Sequence, residues 1–217
     1  AKDVIRQFVE SREHDPTGLV TFAEEAALRI PPTLDSEGFI EDLEDLQLME
    51  LGSGTAVGLG IAIAALHMQN STAKEKVIIL ITDGENNAGE IVPESAADIA
   101  GGMDVKIYTI GIGSKGEVPI EYKDPESGKI ITGMYQSDFD ETLLMDIAER
   151  TGGKYYYAPT VNVLNGVMES IDALESVERR VKIRTSSRPA YRQLIIIALI
   201  LILADFIIKK LLFREVL

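Results

Sequence analysis

The stretch that decides the fold is Lys76-Val77-Ile78-Ile79-Leu80-Ile81, and it stops abruptly at Thr82-Asp83-Gly84-Glu85-Asn86-Asn87. A continuous aliphatic run without polar alternation is typical of a strand in a parallel sheet that helices cover on both faces. Open α/β sheets bind ligands at the carboxyl ends of their strands. The sequence therefore predicts that Asp83 lies in the functional loop.

Strands and helices alternate on both sides of this stretch. Further strands are predicted over residues 19–23, 26–30, 105–111 and 154–157, with Pro31-Pro32 closing the second. Helices are predicted over residues 1–13, 35–46, 56–68, 93–100, 141–150 and 161–177, and residues 114–137 are expected to form a loop or hairpin insertion. This order predicts an α/β fold with a Rossmann-like, doubly wound and mostly parallel sheet, plus one short antiparallel edge strand.

Composition narrows the possible functions. The 217 residues suffice for one main domain, and they include no cysteine and only two histidines, which disfavours thiolate sites, histidine metal clusters and a Ser-His-Asp triad. Residues 1–177 hold 12 Lys/Arg against 32 Asp/Glu, whereas residues 178–217 hold 9 against 3. An acidic body of this kind lacks the basic footprint that nucleic-acid binding requires.

The carboxyl-terminal part has a different character from the body. A domain over residues 1–177 is expected to be followed by a basic juxtamembrane linker over 178–193 and a transmembrane helix over 194–213. The side chains of Arg192 and Lys209 can extend from the ends of that helix to the membrane surface. Asp205 lies four residues before Lys209, and a helical ion pair at this spacing lowers the free-energy cost of placing a carboxylate in the membrane. A buried core helix is the alternative. The positive-inside rule would place the body in the cytoplasm.

Two loops offer hard oxygen ligands. Asp83 supplies a carboxylate, and Ser53-Gly54-Thr55 supplies hydroxyls before a helix whose first amide groups are expected to be unsatisfied. A hydroxyl and a carboxylate near several waters suit Mg²⁺. A purely structural alternative is that Thr55 caps its helix and Asp83 accepts hydrogen bonds from loop amides.

Glycine patterns do not predict a nucleotide site. Residues 111–116 match G-x-G-x-x-G formally, but a Pro/Gly-rich segment follows where the dinucleotide fingerprint requires a helix. Residues 52–60 are glycine-rich and precede a helix, but they carry no Walker Lys-Ser/Thr pair. No nucleotide cofactor is therefore expected.

In order and spacing, several motifs resemble the von Willebrand factor A domain, in particular the bacterial membrane-anchored branch called the aerotolerance Bat proteins. The motifs are Asp15 to Ala23, Gly54-Thr55-Ala56-Val57-Gly58, Ile81 to Gly89, Val105 to Gly113 and Leu144 to Tyr156. The resemblance covers about residues 1–177. The apolar segment after the domain also fits this branch.

The resemblance implies a metal-ion-dependent adhesion site (MIDAS). In that family it is built from an Asp-x-Ser-x-Ser motif after the first strand, a Thr in a second loop and an Asp in a third, and Thr55 and Asp83 match the latter two. Ser53, Gly54, Gly84 and Glu85 would shape the two loops. The first motif is not found here, so we expect a chain truncated at its amino end that lacks the first strand, with Mg²⁺ bound only if that segment is supplied.

The expected function is protein–protein interaction and not catalysis. By resemblance, an acidic side chain of a protein partner would complete the coordination of the metal, at the inner membrane of a bacterial cell. The resemblance favours the periplasm, against the charge count, so the side of the membrane is left open. One alternative is a metal-independent membrane scaffold with an incomplete metal site. The other is a metal-dependent hydrolase, which would need a general base near Asp83, where only Glu85 is at hand.

Overall fold

The computed structural model describes residues 2–12, 14–47, 50–71, 73, 75–83, 85–113, 116–123, 130–137, 139–185 and 191–212. The chain divides into two compact units, Ala1–Ala173 and Leu174–Leu217. The strands are β1 Thr17–Phe22, β2 Ala26–Thr33, β3 Lys76–Thr82, β4 Val105–Ile112, β5 Gly116–Lys123, β6 Ile130–Ser137 and β7 Tyr155–Ala158. The helices are α1 Lys2–Glu10, α2 Ser36–Asp45, α3 Val57–Met68, α4 Pro93–Gly102, α5 Glu141–Arg150, α6 Val161–Thr185 and α7 Tyr191–Leu212.

The main sheet of the first unit is parallel, as predicted. Its strand order is β3-β4-β7, with Lys76 paired to Val105 and Thr109 paired to Tyr155. Helices α4 and α5 lie between successive strands of this sheet in the sequence. Because each crossover contains a helix, the strands run in the same direction and their carboxyl ends meet at one edge.

Two hydrophobic clusters cover opposite faces of this sheet. On one face, Ile78, Val105 and Ile107 pack with apolar residues of α3, α4 and α5. On the other, Tyr108 and Ile110 pack with α6 and with Val4 of α1. Alternate residues of β4 thus enter opposite clusters, and both clusters are buried. The predicted coverage of the sheet on both faces is confirmed.

The three consecutive tyrosines of β7 follow the same alternation. Tyr155 packs in the cluster of α3, α4 and α5, whereas Tyr156 packs in the opposite cluster, with its ring centroid 6.5 Å from that of Tyr108. The ring of Tyr157 makes an edge contact with Phe139 at 5.7 Å. These rings are part of the packing and do not form a platform on one face.

The first two strands differ from the prediction. β1 and β2 form a separate two-stranded antiparallel sheet, whereas we predicted one antiparallel edge strand within the parallel sheet. β2 also continues through Pro31-Pro32 to Thr33, which pairs with Thr17. Proline lacks a backbone donor but is tolerated where a strand needs none, as at an edge. A two-stranded sheet consists of edge strands alone, so the prolines did not end the strand.

The insertion after β4 is an antiparallel hairpin. β5 pairs with β6 over the register from Gly116–Ser137 to Lys123–Ile130. A strand therefore begins at Gly116, at the point where a dinucleotide fingerprint would require a helix.

Helix ends were predicted well at capping residues and poorly elsewhere. The Asp35 side chain accepts a hydrogen bond from the Gly38 N–H at 3.0 Å, and Asp140 accepts one from Leu143 at 2.9 Å. The other predicted cap of α5, Asp138, lies outside the described residues. α6 extends through residues 178–185, where we predicted a linker. These residues include no glycine or proline that would end a helix.

The apolar carboxyl-terminal segment is helical, and the side chains of residues 195–207 are exposed. Among the residues that the structure describes, no helix is both long enough and apolar enough to cross a membrane. The transmembrane helix predicted over residues 194–213 is therefore not found.

Candidate functional site

The two predicted metal-binding residues lie in loops at the ends of neighbouring elements. Asp83 follows Thr82, the last residue of β3, and its side chain is exposed. Thr55 lies two residues before α3 and is partly buried. The Asp83 Oδ1 atom is 3.4 Å from two donors, the backbone N–H of Glu85 and the hydroxyl of Thr82. Gly84 lies outside the described residues.

The loop before α3 is held by the turn between β1 and β2. The Glu25 N–H donates to the carbonyl of Leu51 at 3.1 Å, and the Ala56 N–H donates to the carbonyl of Ala23 at 2.6 Å. Gly52 has a φ of 96°, and a Cβ added there would lie 2.6 Å from the Cβ of Glu24. This close approach requires glycine, so the loop is shaped by the turn beside it.

The same loop is tied on its other side to the loop after β3. The Thr55 N–H donates to Oδ1 of Asn87 at 2.8 Å, and the Val57 N–H donates to Oδ1 of Asn86 at 3.1 Å. A Cβ added to Gly54 would lie 2.6 Å from the Cβ of Ala88. The loops that carry Thr55 and Asp83 are therefore in direct contact. Ser53, by contrast, is exposed.

Sequence reasoning missed Asn86 and Asn87. The sequence indicated them only through their position shortly after the buried strand β3. Polar side chains at such positions lie at the ligand-binding edge of an α/β sheet. Their partners are 29 and 32 residues away in the chain, so no local pattern identifies them.

Two expectations about α3 are corrected here. Its N-cap residue is Ala56, which makes no side-chain capping bond, so Thr55 does not cap the helix as the structural alternative proposed. The N–H of Val57, the first residue of the helix, has an acceptor, whereas we expected the first amides of this helix to be unsatisfied. The N–H groups of Thr55 and Ala56, just before the helix, also have acceptors. They are bonded because two neighbouring loops supply oxygen atoms, and they are not available to an anion.

An open cavity of about 440 Å³ lies beside the loop after β3. Its lining is mainly acidic and apolar, and it joins this loop and the start of α4 to the start of α5. The residues are Glu85, Asn86, Asn87, Gly89, Glu90, Ile91, Val92, Pro93, Glu94, Asp140 and Leu143. A partner that docks at the loops would therefore find a concave, negatively charged surface next to Asp83.

The acidic side chains that the structure describes around these loops do not come together in a cluster. Within the described ranges, no three acidic or histidine side chains come close enough together to hold a metal ion. The oxygen donors that the two loops offer are the Thr55 hydroxyl and the Asp83 carboxylate, with Glu85 two residues further along the chain.

Comparison with known proteins identifies relatives of the whole chain. An uncharacterised protein of Borreliella burgdorferi is 37% identical over 217 residues, which is 100% of this chain and 63% of the relative. A UPF0353 protein of Nocardia farcinica is 25% identical over 91% of this chain and 60% of the relative. The chain thus spans about three fifths of the length of these two proteins.

Solved structures with the same fold include two described as aerotolerance-related or BatB proteins. A BatB protein from Bacteroides thetaiotaomicron has a TM-score of 0.68 at 23% identity, covering 81% of this chain and 86% of that one. An aerotolerance-related membrane protein from Bacteroides fragilis has a TM-score of 0.65 at 24% identity, covering 79% and 84%. A mussel byssus matrix protein, described with a zinc-occupied MIDAS motif, has a TM-score of 0.56 at 21% identity, covering 78% and 40%.

The strongest assignment comes from the sequence itself. The profile of the von Willebrand factor type A domain matches residues 1–170, which include the whole parallel sheet and both loops of the candidate site. The chain therefore belongs to the von Willebrand factor type A domain family.

Proposed function

We propose that this chain is an interaction module that binds a protein partner through the loops around Thr55 and Asp83, with Mg²⁺ at the contact where an Asp-x-Ser-x-Ser segment supplies the remaining ligands. The observation that carries the proposal is the bonding between these loops. The Asn87 side chain accepts from the Thr55 N–H at 2.8 Å, so the two oxygen donors belong to one hydrogen-bonded unit at the edge of the sheet. Membership of a family whose domains mediate protein interactions supports the same role.

The donor chemistry fits a hard cation. Hydroxyl and carboxylate oxygens are ligands that Mg²⁺ accepts, and this ion usually keeps several waters and needs few protein ligands. Asp83 is exposed, so an ion bound there would remain open to an acidic side chain of a partner. When bound, the ion would supply a positive charge between the Asp83 carboxylate and the acidic side chain of the partner. We propose no catalytic step.

Removing the carboxylate of Asp83 tests the metal. In the wild-type protein that carries the Asp-x-Ser-x-Ser segment, Mg²⁺ at 100 times its dissociation constant is expected to raise the free energy of unfolding by about 2.7 kcal/mol, and Asp83→Ala is expected to lose this gain. Thermal unfolding with and without Mg²⁺ measures both. Asp42→Ala is the matched control, because Asp42 is an exposed carboxylate on α2.

An equal Mg²⁺ response in Asp83→Ala and in the wild type would contradict the proposed site. A wild type with no response to Mg²⁺ would favour the alternative function, a scaffold that binds its partners without metal. In that case, with a chelator present, Asp83→Ala and the wild type would pull down the same amount of a bound partner.

We further propose that the carboxyl-terminal helix keeps the protein at a bacterial inner membrane. The support is its exposed apolar surface: Leu199, Leu201 and Ile202 are 66%, 64% and 71% exposed. Such a surface marks a contact with another molecule or with lipid. One solved structure with this fold, from Bacteroides fragilis, is described as an aerotolerance-related membrane protein.

Charged substitutions in the helix test this association. The full chain is expected to sediment with membranes after cell lysis, whereas Leu199→Glu combined with Ile202→Glu is expected to shift most of it to the supernatant, because burying charge in lipid is costly. Leu66→Glu is the control, since Leu66 is an exposed leucine of α3. Equal sedimentation of the double variant and the control would rule out the helix as the anchor.

A further inference from the structure

Two consecutive asparagines join the loops of the candidate site. Asn86 and Asn87 are exposed, yet the Oδ1 atom of each accepts a hydrogen bond from a backbone N–H about thirty residues earlier in the chain. An exposed polar side chain can bond to water instead, so a hydrogen bond within the protein ordinarily adds little net stability there. Two adjacent residues bonded to the start of the same helix therefore indicate a specific task.

Asn86 acts as the cap that α3 lacks in its own sequence. The N-cap residue Ala56 has no side-chain oxygen, and Asn86 supplies one to the Val57 N–H at 3.1 Å from the loop after β3. A helix start needs acceptors for its first N–H groups. The start of α3 is consequently fixed by a residue that follows Asp83 by three positions.

Asn87 holds Thr55 from both sides of its backbone. Its Oδ1 atom accepts from the Thr55 N–H at 2.8 Å, and its own N–H donates to the Thr55 carbonyl at 3.2 Å. The Ala88 N–H donates to the same carbonyl at 3.3 Å. These three bonds fix the backbone of Thr55, and with it the origin of the hydroxyl side chain.

The same residue is linked back to Asp83. The Asn87 Nδ2 group lies 3.4 Å from Oε2 of Glu85, and the Glu85 N–H lies 3.4 Å from Oδ1 of Asp83. A short chain of contacts thus runs from the carboxylate of Asp83 through Glu85 and Asn87 to Thr55. The two loops also pack closely at Gly89, because a Cβ added there would lie 2.7 Å from the Cβ of Ala56.

We propose that Asn86 and Asn87 are positioning residues, which set the placement of Thr55 relative to Asp83 for cation binding without contacting the ion. This inference rests on the proposed Mg²⁺ site. It assigns to the two amides the pre-organisation that a site with few protein ligands requires.

The test uses the protein that carries the Asp-x-Ser-x-Ser segment, as wild type and in four variants. Asn86→Ala and Asn87→Ala remove the acceptors, Asn86→Asp keeps an oxygen for the Val57 N–H, and Asn162→Ala is the control, because Asn162 is an exposed asparagine on α6. Amide hydrogen exchange without metal measures the bonds at Thr55 and Val57. Mg²⁺ titration in about 0.5 M KCl measures affinity while screening the charge that Asn86→Asp adds.

Asn86→Ala is expected to speed the exchange of the Val57 amide, and Asn87→Ala that of the Thr55 amide, each about five- to tenfold relative to the wild type. Their Mg²⁺ affinity is expected to fall by a similar factor, and Asn86→Asp is expected to restore both quantities. The buried amide of Ile107, which donates to the Thr151 hydroxyl at 3.0 Å, should exchange at the wild-type rate and so report that the core is intact.

The outcomes separate the two proposals. Faster exchange at Thr55 and Val57 with unchanged Mg²⁺ affinity would overturn the positioning role and leave the metal site in place. Failure of Asn86→Asp to recover affinity while it recovers exchange would also overturn it. A wild type that binds no Mg²⁺ would overturn the proposed function, and the positioning role with it.

Discussion

Gly153→Ala is expected to lower the free energy of unfolding by about 3 kcal/mol, at the upper end of the usual cost of overpacking. An added Cβ would lie 1.9 Å from the carbonyl oxygen of Ile107 and 2.6 Å from its carbonyl carbon. Ile107 is fully buried in β4, which pairs with a strand on each side, so its backbone has no direction in which to move. Denaturant unfolding followed by circular dichroism measures the loss.

Gly166→Ala provides the matched control. Gly166 is exposed in α6, and an added Cβ would meet no atom within 4 Å. Alanine is the better helix residue, so this variant is expected to gain about 0.5–1 kcal/mol. Equal changes in the two variants would show that the contact with Ile107 does not limit position 153.

Leu144→Ala is expected to lower the free energy of unfolding by about 2–5 kcal/mol, because it opens a cavity in a packed core. Leu144 is fully buried in α5 and belongs to the cluster that joins α3, α4 and α5 to the sheet. Leucine and alanine differ little in helix propensity, so the loss comes from packing. Chemical denaturation measures this loss as a lower midpoint at an unchanged m-value, the slope of the unfolding free energy against denaturant concentration.

The neighbouring residue is the control for this substitution. Met145 lies on the same helix but is 47% exposed, so Met145→Ala is expected to cost within about 0.5 kcal/mol, as for most surface substitutions. A loss in Leu144→Ala that stays within 1 kcal/mol of the control, on the scale of ordinary surface changes, would contradict the proposed core.

The main sheet was predictable because its strands carry a strong and local signal. β3 is a nearly continuous aliphatic run and β4 is rich in β-branched and aromatic residues, a composition typical of strands covered on both faces. The caps Asp35 and Asp140 were equally local, since a capping carboxylate bonds an amide three residues away. Each of these features depends on residues that are close in sequence.

Features that depend on distant residues were predicted less well. The passage of β2 through Pro31-Pro32 follows from its having a single partner strand, which the proline pair itself does not reveal. The position of Asp83 at the functional edge followed from the end of β3, and Thr55 was identified from its hydroxyl before a predicted helix and again by the resemblance. The amides that join their loops were missed, because the bonds of Asn86 and Asn87 exist only once α3 packs beside β3.

The pairing of the strands also sets the order in which the chain can fold. Both antiparallel pairs are hairpins, in which Phe22 meets Ala26 and Lys123 meets Ile130, and hairpins of this kind form within about 1–10 μs. Strands β4 and β7 must instead close a loop that separates Thr109 from Tyr155, and such distant parallel pairing is slow. A refolding chain is therefore expected to pair its hairpins before its parallel strands.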